Sequence, residues 1–259
     1  MISKLAANRN VLKNLVLRDL QRRYVGSIGG LLWSVIHPIA LLLSYTFMFS
    51  VVTQLDIGPY SEFSYPVFVF CGLLPWLFLS ETITRSCGAI TENSALITKT
   101  VMPAEILPIS ITLSNLIHHA IGLGILLIVL VAFFQVHPSV FFILIYLPML
   151  LMLAQGLGWM LAGLQVFVRD TVQALQIILL LWFWFTPVLY AMNRLPAQIR
   201  FIGHINPMAT IVTGYRNALL NQAQPSFPDV LFVFITSAAI FVLGAMLFRQ
   251  AKPAFPDVL

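Results

Sequence analysis

Six long stretches of this chain carry almost no charged residues, and this pattern limits the possible folds more than any other feature. They cover residues 31–52, 65–86, 106–134, 140–168, 172–191 and 230–248. Each is close to or above the roughly 20 residues that a helix needs to cross the hydrocarbon of a bilayer. Because lipid offers no partners to backbone N–H and C=O groups, such stretches have to be helical. We therefore predict an all-α membrane protein with six transmembrane helices.

The composition excludes the main alternatives to a membrane protein. Hydrophobic residues make up 59% of the 259 residues and charged residues only 9%, whereas a soluble domain carries about 25% charged residues. A soluble enzyme of this size could not keep such a surface hydrated, and a disordered chain requires low hydrophobicity.

The positive charges indicate which way the chain crosses the membrane. Eleven of the 14 Lys and Arg residues fall in the terminal segments and the loops on the same side, and the other three lie in the 192–229 loop. The positive-inside rule then predicts that both termini are cytoplasmic. The net charge of +5 is explained by these loops, and we expect no nucleic-acid binding.

Two segments on the predicted cytoplasmic side have patterns of their own. Residues 11–24 form an amphipathic pattern, typical of a helix that lies in the membrane interface, where it either anchors the chain or contacts a partner protein. Residues 89–98 predict a small helix that either fits a groove of a partner or is a solvated loop. The candidate contact residues in and beside it are Thr91, Glu92, Asn93, Leu96 and Lys99.

The loop at residues 192–229 is unusually apolar for a segment outside the membrane. Asn206 followed by Pro207 predicts a helix start, with Asn206 as N-cap and a helix over residues 207–221. A shorter helix is predicted over residues 196–203. The pair either re-enters the outer leaflet as a gate or rests on the bilayer surface.

Several chemistries are missing from the sequence. It contains no phosphate-binding G-x-x-x-x-G-K-[ST] loop, no H-E-x-x-H metal motif and no G-x-S-x-G nucleophile motif. His118 and His119 are neighbours, so on a helix they point about 100° apart and make a poor metal pair. The predicted spans hold few carboxylates, which ion-coupled carriers place at the membrane midplane. We therefore expect no catalytic residue, metal or cofactor in this chain, and a separate subunit that supplies energy.

Aromatic side chains are the positive signal inside the predicted spans. Aromatic faces stack on sugar rings, so a passage lined by them and by a few polar groups would let a glycan slide; the alternative is helix packing or an interfacial aromatic belt. The candidate lining residues are Trp33, His37, Ser44, Tyr45, Phe47, Trp182, Trp184, Phe185 and Tyr190.

Short motifs in a fixed order extend over most of the chain. They are Arg18-Asp19, Arg22-Arg23-Tyr24, Gly26-Ser27, Gly30-Leu31-Leu32-Trp33, Pro38, Gly72-Leu73-Leu74-Pro75-Trp76, Phe167-Val168-Arg169-Asp170, Trp184-Phe185-Thr186-Pro187-Val188-Leu189-Tyr190 and Asn206-Pro207. In this order and spacing the chain resembles the membrane subunit of the polysaccharide-exporting ABC transporters, a group of type 2 ABC exporters, and among them the O-antigen branch.

The resemblance implies a homodimeric permease with two ATP-binding subunits, which would bind ATP and Mg. It implies one transmembrane domain over residues 1–259, in which residues 1–30 hold an interface helix, 31–191 spans one to five, 192–229 an extracytoplasmic gate loop, and 230–259 span six and a cytoplasmic tail. Residues 89–98 would be the coupling helix that docks on the ATPase. The gate residues would be Arg200, Asn206, Pro207 and Arg216. The substrate would be a polysaccharide on undecaprenyl diphosphate, exported across the bacterial inner membrane.

Two arginines are candidates for the entrance of the lipid anchor. The guanidinium of Arg169 matches phosphate oxygens and could meet the lipid diphosphate, with Arg23 near the same surface; the alternative for Arg169 is an ion pair with Asp170 or a positive-inside anchor. Rival functions are a teichoic acid or capsule exporter permease, another small-molecule ABC exporter permease, and an intramembrane enzyme acting on polyprenyl phosphates.

Overall fold

The computed structural model describes residues 9–24, 33–52, 54, 57–99, 102–134, 136–194, 196, 198 and 200–259, and this part is helical without strands. The helices are α1 (Arg9–Tyr24), α2 (Trp33–Thr46, continued by a π-helical segment Phe47–Val52), α3 (Tyr65–Gly88), α4 (Ser94–Lys99), α5 (Ile106–Phe133), α6 (Ile143–Phe167), α7 (Thr171–Phe185), α8 (Arg200–Ile205), α9 (Pro207–Leu219), α10 (Phe227–Ala251) and α11 (Phe255–Val258). Short 3₁₀ turns lie at Gly58–Tyr60, Thr91–Asn93, Pro138–Phe142, Met192–Arg194 and Lys252–Ala254.

Four helical segments in the described part are long and apolar enough to cross a membrane. They are Tyr65–Gly88, Ile106–Phe133, Pro138–Phe167 and Phe227–Val258, which correspond to the second, third, fourth and sixth predicted spans. The first and fifth predicted spans correspond to the shorter apolar helices Ile39–Val52 and Thr171–Phe185. An all-helical membrane protein with several spans is therefore confirmed, and the count of six stays a prediction.

Helix α3 lies in the middle of the bundle. It packs against α2, α5, α6, α7 and α9, and 72% of its most apolar window is buried inside the protein. A helix that is apolar on all sides needs neighbours on all sides. Pro75 lies inside α3, so one backbone hydrogen bond is missing in mid-helix.

The closest crossing joins α6 and α10 through two glycines. A Cβ atom on Gly156 would lie 2.6 Å from the Ile240 carbonyl oxygen, and one on Gly244 would overlap the Gly156 backbone. Small residues at such a crossing let two helix backbones touch, as they do in membrane helix pairs. By contrast, Ile128, Val131 and Phe133 of α5 are exposed, as expected for a face that meets lipid.

Helix α7 ends earlier than the hydropathy pattern predicts. The fifth predicted span continued to residue 191, and that boundary is wrong because the helix stops at Phe185. Pro187 explains the stop, since a proline disfavours helical geometry at the residue before it, and Thr186 is extended. Residues 186–190 form a turn, which we call the α7 turn.

The segment after the α7 turn folds back onto the bundle. Helix α9 packs against α3 and α6, and Met208, Ile211 and Tyr215 are completely buried. The predicted helix over residues 207–221 is thus present as Pro207–Leu219, whereas the one predicted over 196–203 is observed as Arg200–Ile205.

Two buried clusters occupy opposite parts of the bundle. The larger contains most of α3 and α9 with the α7 turn. The smaller joins Ile90, Leu107, Trp159, Phe248 and Phe255, so that the 89–99 segment and the C-terminal tail meet at one end. We call this the α1 end, because Leu15 of α1 packs against the same cluster, and the other the α9 end.

Candidate functional site

The α9 end contains a buried arginine that fastens three elements. Arg216 of α9 is 1% exposed. Its Nη2 donates to the Val188 carbonyl at 2.8 Å, its Nη1 donates to the carbonyls of Pro187 at 3.0 Å and Tyr190 at 3.4 Å, and its Nε donates to the Phe68 carbonyl at 3.3 Å. The side chain therefore holds α9, α3 and the α7 turn together; we call this arrangement the Arg216 clamp.

The charge of Arg216 is balanced by dipoles and not by an acid. Among the described residues no ion pair to this guanidinium is present. Three of its four acceptors are carbonyls just beyond the C-terminus of α7, where a helix dipole is negative. The guanidinium carbon also lies 3.7 Å from the centre of the Phe68 ring, a cation–π distance. Gly72 leaves room for the group, because a Cβ there would lie 2.5 Å from Nη2.

Asn206 makes a second connection at the same end. Its Oδ1 accepts from the backbone N–H of Met208 at 3.0 Å, the predicted N-cap bond, and from Trp182 Nε1 at 2.9 Å. Its Nδ2 donates to Thr186 Oγ1 at 3.0 Å and to the Phe185 carbonyl at 3.4 Å. One side chain thus starts α9 and ties it to the end of α7, with Pro207 in the first helical position.

Of the other predicted gate residues, Arg200 lies at the surface. It is exposed and donates to the Asn193 carbonyl at 3.3 Å. Arg216, also a predicted gate residue, is buried, and its donors are directed at backbone carbonyls. The sequence shows the cation but not its partners, because these come from residues 26 to 148 positions away.

The predicted lining aromatics gather on α7 and the neighbouring part of α2. Tyr45 stacks on Phe183 at 5.8 Å between ring centres, and Trp76 of α3 packs edge-on against Trp182 at 5.9 Å. Phe47, Trp184 and Phe185 are 63%, 51% and 48% exposed; Ser44 donates to the Ala40 carbonyl at 2.8 Å and Tyr190 to the Trp184 carbonyl at 2.8 Å. The side chains of Trp33 and His37 lie outside the described residues.

The predicted coupling segment is a 3₁₀ turn followed by the short helix α4. Thr91 donates to the Gly88 carbonyl at 3.1 Å and Asn93 Nδ2 to the Ala89 carbonyl at 2.9 Å. The turn is therefore stabilised by hydrogen bonds from its side chains to the backbone just before it. Glu92 is exposed and Leu96 is half-buried. The side chain of Lys99 lies outside the described residues.

The candidate lipid-anchor residues lie at the same end. Arg169 and Asp170 are both exposed in the turn between α6 and α7, and within the described part of the chain no ion pair joins them. The Arg169 carbonyl accepts from Gln165 Nε2 at 3.1 Å. The side chain of Arg23 lies outside the described residues.

Sequence reasoning missed the polar side chains that are buried between the helices. Asn115, His119 and Gln155 are all at most 7% exposed. His119 Nε2 lies 3.2 Å from the Tyr215 hydroxyl, and Gln155 accepts from Thr112 at 2.7 Å. Asn115 follows Ser114, His119 follows His118, and Gln155 stands alone among apolar residues, so the local sequence does not show what these side chains contact. In the residues that the structure covers, no group of three or more His, Cys, Asp or Glu is placed to hold a metal.

The fold and these sites define a class: a multi-pass helical membrane protein whose buried polar side chains connect its helices. Residues 10–220 match the model of the ABC-2 type transporter family. The chain belongs to this family.

Curated relatives are similar over most of their length. The chain is 31% identical over 230 residues to the O-antigen export system permease protein RfbA of Myxococcus xanthus, covering 87% of this chain and 86% of the relative. It is 26% identical to the protein of the same name in Klebsiella pneumoniae, over 90% and 88%. It is 25% identical to the polysialic acid transport protein KpsM of Escherichia coli, over 80% of both.

Proposed function

We propose that this chain is the permease subunit of an ATP-driven exporter that moves undecaprenyl-diphosphate-linked polysaccharide, of the O-antigen type, across the bacterial inner membrane. The observation that carries the proposal is the 31% identity to an O-antigen export permease over 87% of the chain. The two proteins match across nearly all of their length, so the likeness concerns the whole transport domain and not one motif.

Energy comes from a separate ATP-binding subunit, present in two copies, which binds ATP and Mg. This chain supplies no catalytic group and no cofactor site. Membership of the ABC-2 type transporter family supports an ABC ATPase partner. The partner docks at the α1 end, where α1, the 91–99 segment and the tail helix α11 lie together.

Both termini are cytoplasmic, and α2 and α7 complete six spans. The uneven Lys and Arg distribution supports this orientation. The meeting of α1 with the C-terminal tail at one end of the bundle is consistent with it, because Leu15 of α1 packs against the cluster that contains Phe255 of the tail.

Two copies of the chain pair through α2 and α7 and enclose the passage. Both helices expose large apolar side chains. Leu43 and Phe47 of α2 are 64% and 63% exposed, and Ile177 and Leu180 of α7 are 62% and 60% exposed. Trp184 and Phe185, at the C-terminal end of α7, are 51% and 48% exposed and offer flat faces to a sugar ring.

Arg169 and Arg23 meet the diphosphate of the lipid anchor at the cytoplasmic entrance. Arg169 is exposed at the α6–α7 turn, and a guanidinium fork fits phosphate oxygens. We expect Arg169→Gln to lower export while the permease still assembles with its ATPase. Full export by this variant would contradict the role of Arg169 in binding the lipid diphosphate.

A capsule exporter permease is the second candidate, because the polysialic acid transport protein matches 80% of the chain. The decisive experiment reconstitutes the chain with its ATP-binding subunit in vesicles. It measures ATP-dependent movement of labelled lipid-linked O-polysaccharide, with capsular and teichoic polymers and small-molecule substrates as parallel arms. Movement of the O-polysaccharide alone supports the proposal, and movement of another cargo in its place overturns it.

A further inference from the structure

Helix α1 is connected to the bundle by an arginine that reaches two other helices. Arg85 lies in the last turn of α3. Its Nη2 is hydrogen-bonded to Asp19 of α1, and its Nη1 donates to Asn115 Oδ1 of α5 at 3.3 Å. Three helices therefore meet at one guanidinium.

The connection continues into the interior of the bundle. Asn115 is 2% exposed and donates through Nδ2 to Thr82 Oγ1 of α3 at 3.0 Å, and Thr82 is completely buried. We call Asp19, Arg85, Asn115 and Thr82 the polar chain. It begins at the surface of α1 and ends one turn deeper in α3 than Arg85.

Open space lies beside the polar chain. A cavity of about 340 Å³ separates α1 from the ends of α3 and α5 and from the 89–93 turn, and Leu15, Arg18, Glu92 and Ser110 are among its lining residues. Close-packed side chains transmit a displacement, and a gap does not. Beside this cavity the polar chain connects α1 to the interior, in addition to the apolar contact of Leu15 with the cluster at the α1 end.

The neighbouring residue of α1 contacts the 91–99 segment. Arg18 Nη2 lies 3.5 Å from Asn93 Oδ1. Of two consecutive residues of α1, Arg18 therefore contacts the 91–99 segment, where we place the ATPase. Asp19 contacts α3, the helix that passes through the core.

We infer that Arg85 is a positioning residue that couples movement of α1 and the 91–99 segment to α3 and α5. The inference rests on the proposed function, since it needs a partner that moves this end of the bundle. The arginine is required because its planar fork holds Asp19 and Asn115 at once, whereas a lysine offers a single ammonium. The consequence is specific: when the polar chain is broken, ATP hydrolysis continues while export falls.

The test uses the full chain with its ATP-binding subunit in vesicles, and measures co-purification, ATP hydrolysis and export of radiolabelled lipid-linked O-polysaccharide. For Arg85→Gln and Asp19→Asn we expect co-purification and hydrolysis within about twofold of the wild type, because a partly exposed ion pair adds little to assembly. Export should fall about tenfold, within the range of coupling between distant sites. The double variant should be no worse than the worse single one, because both remove the same connection.

The matched control is Lys252→Gln, which removes the ion pair to Glu105 at the same end, at 2.8 Å and with similar exposure; it should leave export unchanged. If Arg85→Gln fails to assemble, Arg85→Lys decides, since it keeps the charge and loses only the fork. Export and hydrolysis that fall together, or unchanged export in an assembled variant, overturn the inference. A wild-type complex that moves no polysaccharide at all contradicts the proposed function instead.

Discussion

The two ends of the bundle use arginine in opposite ways. Arg216 at the α9 end is 1% exposed and is held by four backbone carbonyls and an aromatic ring. Arg85 at the α1 end is 28% exposed, is paired with a carboxylate, and borders a cavity. The carbonyls around Arg216 cannot move without moving the backbone of α3 or of the α7 turn, whereas a side-chain pair beside a cavity can move by itself. The comparison predicts that the α9 end is stiff and that the α1 end can move more easily.

The largest expected effect is at Arg216. Arg216→Met would fill part of the volume but leave the carbonyls of Pro187 and Val188 without their donors. Each unsatisfied buried group costs about 1–3 kcal/mol, so the free energy of unfolding should fall by about 3 kcal/mol or more. The measurement is thermal unfolding of the purified protein with a thiol-reactive dye, which reports unfolding because Cys71 and Cys87 are both buried.

The control for that experiment is Arg200→Met in the same loop. Arg200 is exposed and lies at the surface, so its loss should change the free energy of unfolding by less than about 0.5 kcal/mol. Equal shifts for the two variants would contradict the stiff α9 end.

Asn206 should follow as the second largest effect. Asn206→Ala removes the N-cap bond to Met208, worth about 1 kcal/mol, and leaves Trp182 Nε1 without its acceptor, whereas the Thr186 hydroxyl keeps its bond to the Trp182 carbonyl. We expect a loss of about 2 kcal/mol. Asn206→Asp keeps the acceptors for Met208 and Trp182 and should recover more than half of that loss in the same dye assay. A full-size loss in the Asp variant would show that the bond to Thr186 matters most.

Asn206 and Arg216 also show what a sequence can and cannot predict. The N-cap role of Asn206 follows from two adjacent residues, so local chemistry was sufficient. The clamp role of Arg216 depends on Phe68, 148 positions away, and on the space at Gly72, and neither leaves a local signal. The early end of α7 lies between these cases: Pro187 was visible, but the apolar run through residue 191 outweighed it.

Gly72→Ala tests the clamp from the opposite helix. The new Cβ would lie 2.5 Å from Arg216 Nη2 and 3.1 Å from Val212, so the guanidinium has to shift and its bond to the Val188 carbonyl weakens. We expect a loss of about 1–2 kcal/mol, the size of one hydrogen bond and mild overpacking. Gly124→Ala, where nothing lies within 4 Å of the new Cβ, should instead be neutral or stabilising by up to about 1 kcal/mol. Stability gained by both variants would show that Arg216 has room to adjust.

The smallest expected effect belongs to the α1 end. Lys252→Gln breaks the ion pair with Glu105, whose side chains are 35% and 18% exposed, and should cost about 0.5 kcal/mol, because exposed pairs gain little. The two ends then differ in their response to salt. At about 1 M salt, charges are screened beyond about 3 Å, so the difference between Lys252→Gln and the wild type should vanish. The Arg216→Met loss should persist, because its partners are buried neutral carbonyls that ions do not reach. A salt-dependent Arg216 effect would mean that water and ions enter the Arg216 clamp. The two ends would then not differ in how their arginine and lysine contacts respond to salt.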